Sequence, residues 1–204
     1  MNYPACFSPQ QEAAKIGYQQ ILWLLGDGNR DFLDMRVTEA GSMNFFVVVK
    51  RGDGNSAYIG IWKHYPAAII LPGPLGLDVI TPPLDGTVLP GVTRESCITL
   101  LRSHSPDSPL DSLNPVITMY VHETSFTVGD MYKWSSESRL LEAFGVGTAV
   151  VVSGVGAIGL EGHPDIDIQE YDGGLGPVGR ALYNRITDVQ VGKVEFRDWG
   201  YACA

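Results

Sequence analysis

Cysteine is scarce in this chain, and its placement does not suggest a bridge or a metal site. Cys6, Cys97 and Cys203 lie far apart, none belongs to a CxxC pair, and none has a histidine at ligand spacing. Disulfide-rich folds and zinc sites instead show closely spaced, recurring cysteines. The sequence therefore predicts reduced thiols, with neither a disulfide framework nor a metal site.

Basic charge and long apolar runs are also lacking. The chain has 14 basic against 23 acidic residues, a net charge of -9, and no basic patch that would attract nucleic acid or an anionic membrane. The longest apolar stretch, 67–77, is interrupted by Pro72, Gly73 and Pro74, and Met1 is not followed by a signal-peptide pattern. We therefore expect no nucleic-acid partner, no membrane span and a cytoplasmic location.

The remaining composition is that of a well-filled globular fold. Hydrophobic residues make up 45% of the 204 positions, enough for one core without disulfides or metals. Strand and helix patterns alternate without repeats or linkers, which favours a single mixed α/β domain over 1–204. We expect helices at 8–20 (with Ser8 as the N-cap), 94–103, 128–139 and 177–190, and strands at 21–24, 44–50, 57–63, from 78, 116–122 and 149–158.

Three segments could carry chemistry. Two glycine-containing turns, 89–93 and 145–148, offer free backbone N–H groups and a threonine hydroxyl, and the first leads into a helix. Such turns can hold a phosphate without a lysine. Glu39, in the segment 38–44, could keep a pyridine nitrogen protonated. Each segment taken alone also has a structural explanation: an ordinary helix-capping turn in two cases and an exposed loop glutamate in the third.

The amino-acid sequences of these segments and their order along the chain are together more specific for one family than any single segment is. Over nearly its whole length the chain resembles the C-terminal domain of the branched-chain aminotransferases. The resemblance rests on six motifs in the same order: Asn2-Tyr3, Gln11-Glu12-Ala13-Ala14-Lys15, Gln20-Ile21-Leu22-Trp23-Leu24, Thr38-Glu39-Ala40-Gly41-Ser42-Met43-Asn44, Leu89-Pro90-Gly91-Val92-Thr93-Arg94 and Gly145-Val146-Gly147-Thr148-Ala149.

This resemblance implies a fold, a cofactor and an activity. Members of the family are fold-type IV homodimers that use pyridoxal 5′-phosphate to move an amino group between leucine, isoleucine or valine and 2-oxoglutarate. The implied fold is a mixed sheet or pseudo-barrel with flanking helices. The implied roles are ring-nitrogen contact by Glu39, phenolic-oxygen contact by Tyr3, phosphate binding by Val92, Thr93 and Thr148, and substrate-carboxylate binding by Ser42 and Ala149.

The chain also departs from the family pattern. The Schiff-base lysine of the family would fall before Met1, together with the N-terminal domain that supplies a phosphate-binding arginine and part of the substrate pocket. No catalytic residue is therefore assigned, and we expect the chain to be inactive or very weak by itself. The lysines of the sequence have the pattern of surface residues: Lys15, Lys50, Lys63, Lys133 and Lys193. An exposed domain face predicts self-association or a partner chain.

Two further departures concern local segments. The stretch 56–76 is longer than the usual connection in the family, which predicts an insertion. The CxxC that follows the Gly-Thr-Ala run in animal members is replaced by Val150 and Ser153, so redox regulation of that kind is not expected.

Two other functions stay open at this point. The chain could be a non-catalytic remnant that serves as a binding or scaffold protein. It could instead be a lyase, isomerase or cyclase that works without pyridoxal phosphate in the old pocket, for which Tyr3, Glu39 and His122 are the candidate polar groups.

Overall fold

The computed structural model describes residues 4–26, 31–51, 76–160 and 162–200, with side chains from Ser8 onward. Helices and strands alternate along these residues. The helices are α1 (Pro4–Lys15), α2 (Val92–Ser103), α3 (Val128–Ser136) and α4 (Pro177–Gln190), with a short 3-10 helix at Phe32–Asp34. The strands are β1 (Leu22–Leu25), β2 (Arg36–Ala40), β3 (Met43–Lys50), β4 (Gly76–Thr81), β5 (Thr118–Glu123), β6 (Leu140–Gly147), β7 (Val151–Val155), β8 (Ala157–Ile158) and β9 (Ile166–Asp167).

Strands β1 to β7 form one mixed sheet with β3 at its centre. One edge of β3 pairs first with β2 and then with β4, while its other edge pairs with β6, which in turn pairs with β7. The β4–β5 pair is parallel and the other pairs are antiparallel. This mixed sheet with flanking helices confirms the fold class expected from the sequence.

The apolar run of β3 is continuous because both faces of the sheet are covered. Phe46 and Val48 pack with residues of α2 and α4 on one face. Phe45, Val47 and Val49 pack toward α3 on the other face. Each fully buried side chain of this size contributes about 1.5–3 kcal/mol to folding. A strand with two buried faces reads as an uninterrupted hydrophobic segment rather than as an alternating one.

Helix α4 has the bounds expected from its spacing. Val178, Leu182, Ile186 and Val189 are buried along one stripe of the helix, as the sequence predicted. The expected helix at 94–103 is also present, but it begins two residues earlier as α2. The expected helix at 128–139 ends earlier, at Ser136, and Ser138 has φ +54°.

The predicted bounds of the first helix were wrong. It begins at Pro4 rather than after Ser8, and Pro9 lies inside it. It ends at Lys15 because Gly17 takes a positive φ of 96°. The N–H groups of Gly17 and Tyr18 then donate to the carbonyls of Ala14 and Ala13, which is a Schellman motif.

The prediction of a single strand over 149–158 was also wrong. Gly145 and Gly147, expected in a turn, lie in β6, and the turn consists of residues 148–150. Strand structure then resumes as β7 and the two-residue β8. A Cβ at position 145 would come within 2.9 Å of the Met43 Cε, so a larger residue there would require the Met43 side chain to shift. The sheet therefore continues through a segment whose glycines suggested a loop.

Some expectations fall outside the described residues. The strand expected at 57–63 lies there, as does the proposed insertion at 56–76 except for Gly76, which begins β4. None of the helices in the described part of the chain is long and apolar enough to cross a membrane.

Candidate functional site

Glu39 lies within β2 rather than in a loop before a strand. Its side chain is 8% exposed, so the interpretation as an exposed loop glutamate was wrong. Oε1 accepts hydrogen bonds from the Leu89 backbone N–H at 3.0 Å and from the Asn44 side chain at 3.2 Å. Burial raises the pKa of Glu39, and the hydrogen bond from Leu89 opposes that rise.

The turn that contains Leu89 leads directly into α2. Gly91 is the N-cap of the helix, and no side chain in the described part of the protein caps it. The first helical hydrogen bond runs from the Glu95 N–H to the Gly91 carbonyl, so the N–H groups of Val92, Thr93 and Arg94 precede the helical ladder. Uncapped N–H groups together with the positive end of the helix dipole favour an anion.

Ser42 and Thr148 lie at the same end of the sheet. Gly41 and Ser42 form the two-residue turn between β2 and β3, with φ +57° at Gly41. Thr148 and Ala149 are exposed in the turn after β6. The turns adjoin, because a Cβ on Gly147 would lie 3.9 Å from the Ser42 carbonyl oxygen.

The register connects these turns to Glu39. Asn44 of β3 pairs with Glu39 on one side and with Val146 of β6 on the other. The structure thus brings Glu39, Ser42, Val92, Thr93, Thr148 and Ala149 to one end of the sheet. Tyr3 lies outside the described residues.

His122 is not part of this group. It lies on β5, at an edge of the sheet, where its Nε2 is 2.8 Å from the Asp78 Oδ1 and its side chain is 42% exposed. The structure therefore does not bring His122 together with Glu39, as the interpretation without pyridoxal phosphate would require.

The lysines in the described residues also lie elsewhere. Lys15 ends α1, Lys133 lies in α3 and Lys193 follows α4. Lys50 ends β3, six residues or about 20 Å along the strand from Asn44. Lys63 is outside the described residues.

Two residues at the site were missed as functional candidates. Asn44 is 5% exposed and bonds to Glu39, and Arg94 is 1% exposed in the first turn of α2. Arg94 donates to the Pro82 carbonyl at 2.9 Å and pairs with Glu123 at 3.1 Å. The available signal was polarity within apolar segments, because a buried polar side chain must find partners.

A cavity of about 520 Å³ adjoins the first turns of α2. Gly91, Val92 and Arg94 line it, together with Arg197 and Trp199 from the end of the described chain. Glu39, Ser42 and Thr148 are not among its lining residues. The cavity therefore borders the N-terminus of α2 without containing the buried carboxylate.

The chain is similar in sequence to known aminotransferases. The family model for amino-transferase class IV matches residues 1–111, more than half of the chain. The mitochondrial branched-chain-amino-acid aminotransferase of Saccharomyces cerevisiae is 34% identical over 205 residues, which span 100% of this chain and 43% of that protein. The chain thus covers less than half of the length of this relative.

Two solved structures have a similar fold. The branched-chain amino acid aminotransferase of Escherichia coli has a TM-score of 0.58 and 22% identity, covering 98% of this chain and 46% of that one. The Thermobaculum terrenum enzyme in its PLP-bound holo form has a TM-score of 0.57 and 21% identity, covering 94% of this chain and 44% of that one. At these identities the two structures support the fold alone.

Proposed function

The chain belongs to the class IV aminotransferase family, and from that premise we propose that it holds pyridoxal 5′-phosphate at the Glu39 end of its sheet. The proposed reaction is amino transfer between a branched-chain amino acid and a 2-oxo acid such as 2-oxoglutarate. It is supported by the likeness to the yeast enzyme, whose name states this substrate class.

One observation carries the proposal: a buried carboxylate is hydrogen-bonded to the same turn that leads into an uncapped helix N-terminus. Oε1 of Glu39 accepts both of its hydrogen bonds, and within the described residues Oε2 accepts none. Leu89 precedes Val92 by three residues, a span of at most about 10 Å. One small molecule with a basic nitrogen and a phosphate could meet both groups.

The residues present fit this cofactor. When bound, pyridoxal phosphate supplies an electron sink next to the reacting carbon of the substrate. Glu39 Oε2 would hold the proton on the ring nitrogen, and that positive charge would counteract the raised pKa of the carboxyl. Tyr3 is proposed to bond the phenolic oxygen of the ring.

Phosphate and substrate contacts are proposed for the neighbouring turns. The backbone N–H groups of Val92 and Thr93 and the Thr148 hydroxyl would donate to the phosphate. Ser42 and Ala149, in the two adjoining turns, would donate to the substrate carboxylate. These assignments use donors at the end of the sheet where Glu39 lies, and none of them requires a lysine.

We propose that the 204-residue chain by itself binds the cofactor but does not transaminate. Of the lysines in the described residues, Lys15, Lys50 and Lys133 belong to α1, β3 and α3, and Lys193 bonds to Asp188 of α4, so no lysine is assigned to the Glu39 group. A general base and covalent anchor at the reacting carbon would therefore come from outside these residues.

Assembly into a homodimer in the cytoplasm is also proposed. Val92 is 83% exposed, and Leu84 and Leu89 are exposed beside it. Apolar side chains clustered at a ligand-facing edge favour coverage by a second chain. Light scattering across a concentration series should show a species larger than the monomer, and a constant monomer mass would contradict the assembly.

Pyridoxine 5′-phosphate tests the cofactor site directly, because it has the ring and phosphate but no aldehyde and needs no lysine. We expect the chain to bind it by calorimetry, and Glu39→Gln to raise the Kd at least tenfold because a charge-assisted hydrogen bond is lost. Glu137→Gln, which makes the same charge change at the exposed C-terminus of α3, should leave the Kd unchanged. No binding, or equal binding by Glu39→Gln, would contradict the proposal.

A further inference from the structure

Asn44 is the one polar residue in the segment from Met43 to Val49 of β3, and it is buried. Its amide Nδ2 donates to two acceptors: the Glu39 Oε1 at 3.2 Å and the Leu89 carbonyl at 2.8 Å. An amide nitrogen has two hydrogens, so both bonds can form together. The side chain thus joins β2 to a turn that lies 50 residues further along the sequence.

The same amide also fits closely against the next glycine. A Cβ on Gly91 would come within 2.3 Å of the Asn44 Oδ1, so the turn can approach the amide only with glycine at this position. The Gly91 N–H donates to the Leu89 carbonyl at 2.8 Å, and Asn44 donates to that same oxygen. Asn44 therefore contacts the N-cap of α2 as well as the carboxylate.

These bonds fix the orientation of the Glu39 carboxylate. Oε1 accepts from both the Asn44 amide and the Leu89 N–H, so a rotation that moves this oxygen away would break both bonds. A buried polar group without a hydrogen-bond partner lowers the stability of the folded state. The observed arrangement is therefore strongly preferred over one that leaves the Glu39 carboxylate, the Asn44 amide or the Leu89 backbone without a partner.

We propose that Asn44 is a positioning residue that sets Glu39 and the N-terminus of α2 at a fixed separation, so that the ring nitrogen and the phosphate of one cofactor molecule are met at once. This inference rests on the proposed function. A backbone ladder does not set this separation, because the Leu89 turn belongs to no strand that pairs with β2. Sites built to hold a ligand at two ends depend on such supporting contacts, since small displacements lose affinity.

The first test measures affinity for pyridoxine 5′-phosphate and, separately, for inorganic phosphate. Asn44→Ala should raise the Kd for pyridoxine 5′-phosphate about tenfold, while the Kd for phosphate alone should change less than twofold. In the double variant Glu39→Gln/Asn44→Ala the effects should not add, because Asn44 acts through Glu39. Additive effects, or equal weakening for both ligands, would overturn the inference.

The second test needs no ligand. In the free protein, the pKa of the Glu39 carboxyl can be followed by carbon-13 NMR. Asn44→Ala should raise this pKa further, because a hydrogen bond to the charged form is lost, and Asn44→Asp should raise it more, because a second carboxylate lies beside it. An unchanged pKa in both variants would show that Asn44 does not hold Glu39, and would overturn the inference.

Thr38→Val is the matched control. Thr38 is buried next to Glu39 on β2, and its hydroxyl donates to the Trp23 carbonyl at 3.0 Å. This variant loses a hydrogen bond in the same strand without touching Asn44, so it should change neither the ligand affinities nor the Glu39 pKa. If it acts as Asn44→Ala does, the effect of Asn44 is general loosening and the inference fails.

The outcomes also separate this inference from the proposed function. If the unmodified chain does not bind pyridoxine 5′-phosphate, the proposed function fails, and the cofactor part of the inference fails with it. If the unmodified chain and Asn44→Ala bind it equally well, the inference fails and the proposed function stands.

Discussion

The N-termini of α2 and α4 are both preceded by glycine, yet their first N–H groups differ in their hydrogen-bond partners. At α4, the Glu142 carboxylate accepts hydrogen bonds from the N–H groups of Val178 and Gly179 at 2.8 and 2.9 Å. At α2, no side chain among the described residues accepts a hydrogen bond from the N–H groups of Val92, Thr93 or Arg94. A helix end that the protein fills with its own carboxylate is structural, whereas one that stays open can accept an external anion.

Two glutamates that are buried in the described part of the chain show the same contrast. Glu142 is 2% exposed, and each of its carboxylate oxygens accepts a hydrogen bond from a backbone N–H of α4. Its carboxylate therefore has a structural role. Glu39 uses one oxygen for both of its bonds. Burial raises the pKa of each carboxyl, but among the described residues the second oxygen of Glu39 accepts no hydrogen bond. Burial of a carboxylate therefore does not distinguish a site from a cap; the use of its second oxygen does.

The largest expected effect removes the α4 cap. Glu142→Ala leaves two buried N–H groups unpaired and opens a cavity, so we expect a loss of about 4 kcal/mol in the free energy of unfolding by urea. Glu170→Ala removes an exposed carboxylate that lines, together with Glu142, a second cavity of about 270 Å³, and it should cost less than about 0.5 kcal/mol. A small loss for Glu142→Ala would show that the two helix ends do not differ as described.

The pH dependence of stability sharpens the comparison. Desolvation raises the pKa of Glu142 to about 7, against 4.5 for the ordinary group. The pKa of Glu142 is higher in the folded state than in the unfolded state. The contribution of this carboxyl to the free energy of unfolding is therefore fully present below pH 4.5, falls as the pH rises, and levels off above about 7. Relative to Glu142→Gln, the chain should lose roughly 3 kcal/mol between pH 4.5 and 8. Parallel stability curves for the two proteins would contradict this prediction.

A smaller loss of stability is expected from adding a side chain at the N-cap of α2. Gly91→Ala places a methyl group against the Asn44 amide, which we expect to cost about 2 kcal/mol and to weaken binding of pyridoxine 5′-phosphate. Gly156→Ala is the control, since a Cβ there meets nothing within 4 Å. Urea unfolding and calorimetry measure the two effects, and equal behaviour of the two variants would contradict the close fit at Gly91.

Local patterns predicted much of the fold. The spacing of Val178, Leu182, Ile186 and Val189 gave the bounds of α4, and the apolar run after Met43 gave β3. The end of α1 was missed although Gly17 was the signal for it. Strand β6 was missed because its glycines resemble a turn until the Met43 side chain that packs on them is known.

The candidate site was predicted only in part. The motif order indicated Glu39, Ser42, Val92, Thr93, Thr148 and Ala149, which the fold gathers at one end of the sheet. The role of Asn44 could not be predicted, because its partners Glu39 and Leu89 are 5 and 45 residues away and meet only in the folded chain. His122 was considered for the pocket, but its partner Asp78 lies on the neighbouring strand.

The sequence by itself determined the helix and strand types with strong periodicity and the residue kinds available for a cofactor, because these depend on composition and short-range spacing. It also determined the family, through the resemblance of its motifs and their order. Only the tertiary structure decided that Glu39 is buried, that Glu142 caps α4, and that the turn before α2 lies against Glu39. The physical reason is that burial and hydrogen-bond partners depend on contacts between segments far apart in the chain, and local sequence patterns do not encode which segments meet.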